Sequence, residues 1–71
     1  MILLASVISA RGDHLLVFDL SDRQQFKVIT DEAARFRAGD LLRIRYDGTA
    51  TKSIPPQITA EHITRLSATL L

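Results

Sequence analysis

Turn-forming clusters cut this chain at short, regular intervals, and that spacing limits what it can fold into. Arg11-Gly12-Asp13, Ser21-Asp22-Arg23, Ala38-Gly39-Asp40, Asp47-Gly48 and Pro55-Pro56 bring together Gly, Pro, Asp and Ser. These residues supply positive φ, a fixed φ or local side-chain-to-backbone hydrogen bonds. Between the clusters lie apolar-rich runs from Ile2 to Ser9, His14 to Leu20, Gln25 to Thr30, Leu41 to Tyr46 and Gln57 to about Leu66. Runs this short suit strands, because an isolated helix of so few residues is marginal. The segment Asp31-Glu32-Ala33-Ala34-Arg35 differs. Ala, Glu and Arg favour helix, and the acidic pair would stand at its positive end with Thr30 or Asp31 as cap. One or two helical turns are expected there.

The order strand, strand, strand, short helix, strand, strand predicts a mainly β fold, a small five-stranded OB-like β-barrel with one short helix between strands 3 and 4, in a single domain over residues 1–71. Alternation assigns faces in the middle of the chain. Phe26 and Val28 oppose Lys27, and Leu42, Ile44 and Tyr46 oppose Leu41, Arg43 and Arg45. The last segment leaves two readings. Ile58 and Ala60 keep strand parity and Ile63 breaks it, which a bulge near Glu61-His62 accommodates. Against this, Ala60, Ile63, Leu66 or Ser67, and Leu70 approach helical spacing, with Glu61 and Arg65 at i, i+4. The bulged strand running into an apolar tail is preferred.

The first two strands are apolar on both faces: Ile2, Leu4 and Ile8 alternate with Leu3, Ala5 and Val7, and Leu16, Phe18 and Leu20 with Leu15 and Val17. A barrel has one interior, so the second face needs a cover: the short helix, the tail or another chain. Phe18, with Leu16 and Leu20, is expected to fill the interior, which leaves Leu3, Leu15 and Val17 as the self-association surface. Size points the same way. A domain of 71 residues buries only about 60% of its unfolded surface. With no Cys and only His14 and His62 as imidazoles, oligomerisation is the remaining means of reinforcement.

From Phe36-Arg37-Ala38-Gly39-Asp40-Leu41-Leu42-Arg43-Ile44, through Tyr46-Asp47-Gly48, to Ser53-Ile54-Pro55-Pro56-Gln57-Ile58 with Ala60 and Ile63, the second half of the chain resembles a family of uncharacterised small OB-like domains found mostly in exported bacterial proteins. The resemblance implies an OB-like fold. It implies no catalytic residues, since that family has none established.

The opening MILLASVISA has a signal-peptide look, yet it lacks a charged start and its apolar stretch is short, so a strand is expected. No apolar run approaches the roughly 20 residues of a membrane-spanning helix. Absence of Cys excludes thiol catalysis and cysteine-based zinc sites. Ser53 lacks a nucleophile elbow and stands beside two prolines that force extended backbone, so it is expected to turn a corner and to hydrogen-bond nearby backbone; a cis bond before Pro55 or Pro56 is compatible with that corner. Arg11-Gly12-Asp13 reads as a hairpin turn before it reads as an adhesion tripeptide. Two imidazoles without a ligand motif do not make a metal site, and Asp19, Asp22, Asp31, Glu32, Asp40 and Asp47 are scattered over strand ends and turns. No catalytic, cofactor or metal site is expected.

The functional expectation is a non-enzymatic interaction module, a homo-oligomer or a subunit bound to a protein partner. The alternative is single-stranded nucleic-acid or polyanion binding through Arg35, Arg37, Arg43 and Arg45, with Phe36 and Tyr46 nearby, because OB-like folds combine cationic grooves with stacking aromatics. A net charge of +1 gives that alternative little long-range attraction.

Overall fold

A computed structural model describes residues 1–66 and contains six strands: β1 (Ile2–Ala10), β2 (His14–Asp19), β3 (Gln24–Ile29), β4 (Leu41–Arg45), β5 (Gln57–Thr59) and β6 (His62–Leu66). They form one sheet in the order β5-β3-β2-β1-β4-β6. All neighbours are antiparallel except β3 and β5, which are parallel. The mainly β expectation holds. The closed five-stranded barrel does not, because the sheet is open and the fifth expected strand is two.

The break has a visible cause. Ala60 donates its N–H to the Ile29 carbonyl on β3 at 3.0 Å, and Glu61 donates to the Arg45 carbonyl on β4 at 2.7 Å. Consecutive residues thus bond to β3 and to β4, the strands next to the two edges of the sheet, so the segment leaves one ladder for the other. The bulge expected near Glu61-His62 is a complete change of partner one residue earlier. Along β6 the chain stays extended to Leu66, and the helical alternative fails over that stretch; the apolar tail beyond it lies outside the described residues.

Helical structure among the described residues is a 3-10 turn at Ala33–Arg35. The N-cap position falls on Glu32, which makes no side-chain cap hydrogen bond, so neither Thr30 nor Asp31 caps the turn as expected; Thr30 Oγ1 instead accepts the Glu32 N–H at 3.1 Å just ahead of it. The turn presses Ala33 and Phe36 into the core. Gly39, with φ of +95°, then reverses the chain into β4, a conformation that an L side chain would strain.

The core is built from Leu15, Val17, Val28, Leu42, Ile44 and Ile58, all essentially without solvent contact. Cross-strand register explains the choice. Val17 faces Phe26 and Leu15 faces Val28, while Leu3 faces Ile44 and Ala5 faces Leu42. The unambiguous inner faces of β3 and β4 therefore select the same side of β2 and β1. This corrects the expected faces. Leu3, Leu15 and Val17 are interior at 5%, 0% and 0% exposure and offer no association surface, whereas Leu16 and Phe18 are half-buried and Leu20 exposed on the other side.

The segment around Ser53 turns a corner. Ser53 Oγ donates to the Pro55 carbonyl at 3.0 Å and lies 2.6 Å from Thr51 Oγ1, and the Ile54–Pro55 bond is cis. Thr51 fastens the corner to β5: its N–H donates to the Gln57 carbonyl at 3.0 Å, and its hydroxyl accepts the Gln57 N–H at 2.9 Å.

Candidate functional site

Two places gather chemically active side chains, and they lie on opposite sides of the sheet. The first is a clasp at the end of the core. Arg65 is across from the inward-pointing Leu42, so its guanidinium reaches round the inner rim. It lies over the Phe36 ring at 5.3 Å, binds Asp40 Oδ2 at 3.2 Å and donates to the Arg35 carbonyl. Arg35 is 5.8 Å from the same ring and pairs with Glu32 at 3.3 Å. Asp40 Oδ2 also accepts the Arg37 N–H at 3.0 Å. The sequence places Arg65 only as an i, i+4 partner of Glu61 in the helical reading; a cation at i+25 from Asp40 carries no local signal of this clasp.

This clasp is architecture. The Arg37 N–H, and after it the Arg65 charge, hold the Asp40 carboxyl below its usual range, opposed in part by desolvation. A depressed carboxyl pKa stabilises the fold above the group's unfolded value, and that contribution disappears as pH falls through the folded value. Wild-type protein should therefore lose thermal stability faster than Asp40→Asn as the buffer is taken below about pH 4. Parallel melting curves for the two proteins would expose the wrong assignment.

Other carboxylates have similar duties. Asp19 is buried and accepts the Ser21 N–H at 2.9 Å, and Asp47 accepts the Thr49 N–H at 2.8 Å, each fastening the turn that follows it. Asp13 pairs with His14 at 2.8 Å on the surface. His62 lines a polar depression of about 180 Å³ with Thr30, Asp31, Glu32 and Glu61. Among the described residues no three His, Asp or Glu side chains converge on a point that could hold a metal ion.

The second place is the outer face of the sheet. Ile2, Leu4 and Ile8 project from β1 at 40–43% exposure, and Leu20, whose N–H donates to the Leu4 carbonyl at 3.0 Å, is 49% exposed. Half-buried Leu16 and Phe18 continue the apolar area on β2. Basic residues flank it on both sides. Arg45 is directly across from Ile2 and Arg43 from Leu4 on β4, and Lys27 is across from Leu16 on β3.

The four arginines expected to form one cationic patch are thus divided. Arg43 and Arg45 point outward from β4, with Arg45 3.9 Å from Glu61, while Arg35 and Arg37 belong to the loop tied to the inner clasp. Phe36 and Tyr46 are buried at 6% and 7% exposure, and the Tyr46 hydroxyl donates to Met1 Sδ at 3.3 Å, so neither ring is free to stack on a base.

No protein-family model, curated protein or solved structure matches this chain. No helix among the described residues is long and apolar enough to cross a membrane.

Proposed function

We propose that this chain is a non-enzymatic interaction module that makes contact through the outer face of β1 and β2, as a self-associating protomer or as a subunit of a larger assembly. One observation carries the reading. Ile2, Leu4, Ile8 and Leu20, each 40–49% exposed, lie on one side of two adjacent strands, with Leu16 and Phe18 between them. Contiguous apolar surface of this kind on a small domain is a mark of a contact site. The strand order also supports an OB-like module whose last strand is divided, with β1 between β2 and β4 and β5 parallel to β3.

Sedimentation equilibrium over a wide concentration range tests the self-associating form. Leu4→Asp should keep the far-UV CD spectrum and the melt of the parent, because the side chain is already half in water, while abolishing any concentration-dependent mass. A parent that stays monomeric up to near-millimolar concentration would eliminate self-association. A Leu4→Asp protein that unfolds would show the face to be part of the core.

A second reading, polyanion binding, is supported by Arg43 and Arg45 alone, which project from the same side of β4. It expects oligonucleotide affinity that drops steeply with salt, and a shallower slope in Arg43→Ala/Arg45→Ala. Absence of binding to a single-stranded oligonucleotide at low salt refutes it.

A further inference from the structure

The contact-face reading leaves open what the face meets, and its charge pattern narrows the choice. Every charged side chain on the strands of this face is basic or imidazole: Lys27 on β3, Arg43 and Arg45 on β4, His14 on β2 and His62 on β6. The strands' one carboxylate, Asp19, is buried on the inner side. Among the described residues the carboxylates otherwise occupy turns and joints, where Asp13, Asp40 and Asp47 are already engaged and Glu61 stands at the rim beside Arg45. The face is therefore an apolar stripe with cationic borders, Arg43 and Arg45 along one side and Lys27 along the other.

We infer that this face docks an amphipathic helical segment of another protein, with an apolar stripe flanked by Asp or Glu. Neighbouring strands are about 5 Å apart, so the stripe on β1 and β2 with its borders on β4 and β3 is roughly 14 Å wide, enough to seat one helix of about 10–12 Å diameter between the two rows of cations. Ile2, Leu4, Ser6 and Ile8 extend it by about 20 Å along the strand, enough to meet three to four helical turns. A helix laid along β1 would bring apolar side chains at i, i+3, i+4 and i+7 onto the stripe and its flanking carboxylates against Arg43, Arg45 and Lys27. A second copy fits less well: two such faces apposed would bring cations toward cations with no carboxylate on either strand surface to pair them. An anionic bilayer also fits less well. The apolar side chains are only 40–49% exposed and the half-buried Ser6 interrupts their row on β1, which leaves little apolar area to insert among acyl chains.

The inference rests on the contact-face reading, and its test separates the two. Fluorescence anisotropy is measured with two labelled synthetic helices that share Leu at i, i+3, i+4 and i+7, one flanked by Glu and one by Lys. The full chain should bind the Leu/Glu helix at least tenfold more tightly than the Leu/Lys helix, and the preference should shrink with added salt. Leu4→Asp should abolish binding. Arg43→Glu/Arg45→Glu, two exposed substitutions that leave the apolar core untouched, should reverse the preference toward the Leu/Lys helix. Equal affinity for the two helices, or no reversal in the double variant, overturns the acidic helix. If instead the parent self-associates and Leu4→Asp disperses it while neither helix binds, the contact face stands and a second copy is its occupant. Sedimentation with vesicles of phosphatidylglycerol and phosphatidylcholine, lost on Leu4→Asp, in place of helix binding would assign the face to a membrane. If neither helix, vesicle nor self-association responds to Leu4→Asp, the contact-face reading itself fails.

Discussion

Val17→Asp should abolish folding at every protein concentration. Val17 has no solvent contact and sits between Val7 on β1 and Phe26 on β3. A carboxylate there loses the packing of a branched side chain and has no basic partner on the inner face beside it, and such substitutions belong to the class that costs more than about 4 kcal/mol. That matches the whole stability of a small domain, about 5 kcal/mol. Thermal melts from low micromolar to near-millimolar protein should all lack a cooperative transition. Phe18→Ala is the control next to it in sequence. A fully buried Phe loses about 3–5 kcal/mol on truncation, and half-buried Phe18 should lose roughly 1–2 kcal/mol and still melt cooperatively. If Phe18→Ala unfolds the protein and Val17→Asp merely dissociates it, the two faces of β2 have been assigned the wrong way round.

Ile58→Ala should cost about 2–5 kcal/mol, and the damage should be local before it is global. Ile58 is 1% exposed and is the one inward side chain of the three-residue strand β5, lying against Val28 in the parallel ladder. Without it little holds β5 to β3. Hydrogen exchange should then accelerate first at Lys27, whose N–H donates to the Pro56 carbonyl at 2.9 Å, and at Ala60, whose N–H donates to Ile29 at 3.0 Å. Amides of the β1–β2 ladder should keep their protection until global unfolding. Uniform acceleration across all strands would show that β5 is not a separable unit.

Turn chemistry made the strand boundaries legible. Gly39 and Gly48, at φ of +95° and +94°, and the Asp residues that accept backbone N–H groups at 19, 40 and 47 are local devices, so their signal lies within a few residues of the turns they make. The short helix was legible for the same reason, as were the faces of β3 and β4, where a charged or polar side chain on one side of each strand declares which side is wet. The candidate site was legible only in part. That the first two strands carry a surplus apolar face follows from their composition, and so does a cationic β4 with Arg43 and Arg45 on one side.

Tertiary structure decided what local pattern leaves degenerate. For β1 and β2 both faces are apolar, so transfer free energy barely distinguishes Leu15 and Val17 from Leu16 and Phe18; the choice was made by pairing with β3 and β4, whose inner faces admit one register. The same pairing separated Arg43 and Arg45 from Arg35 and Arg37, because two are on strand positions facing out and two are in a loop held by Arg65 and Asp40 from distant parts of the chain. The break at Ala60-Glu61 is also a long-range outcome. A residue's own propensity cannot say that its N–H will find Ile29 while its neighbour's finds Arg45; that depends on two sheet edges curving toward each other until one two-residue joint spans them.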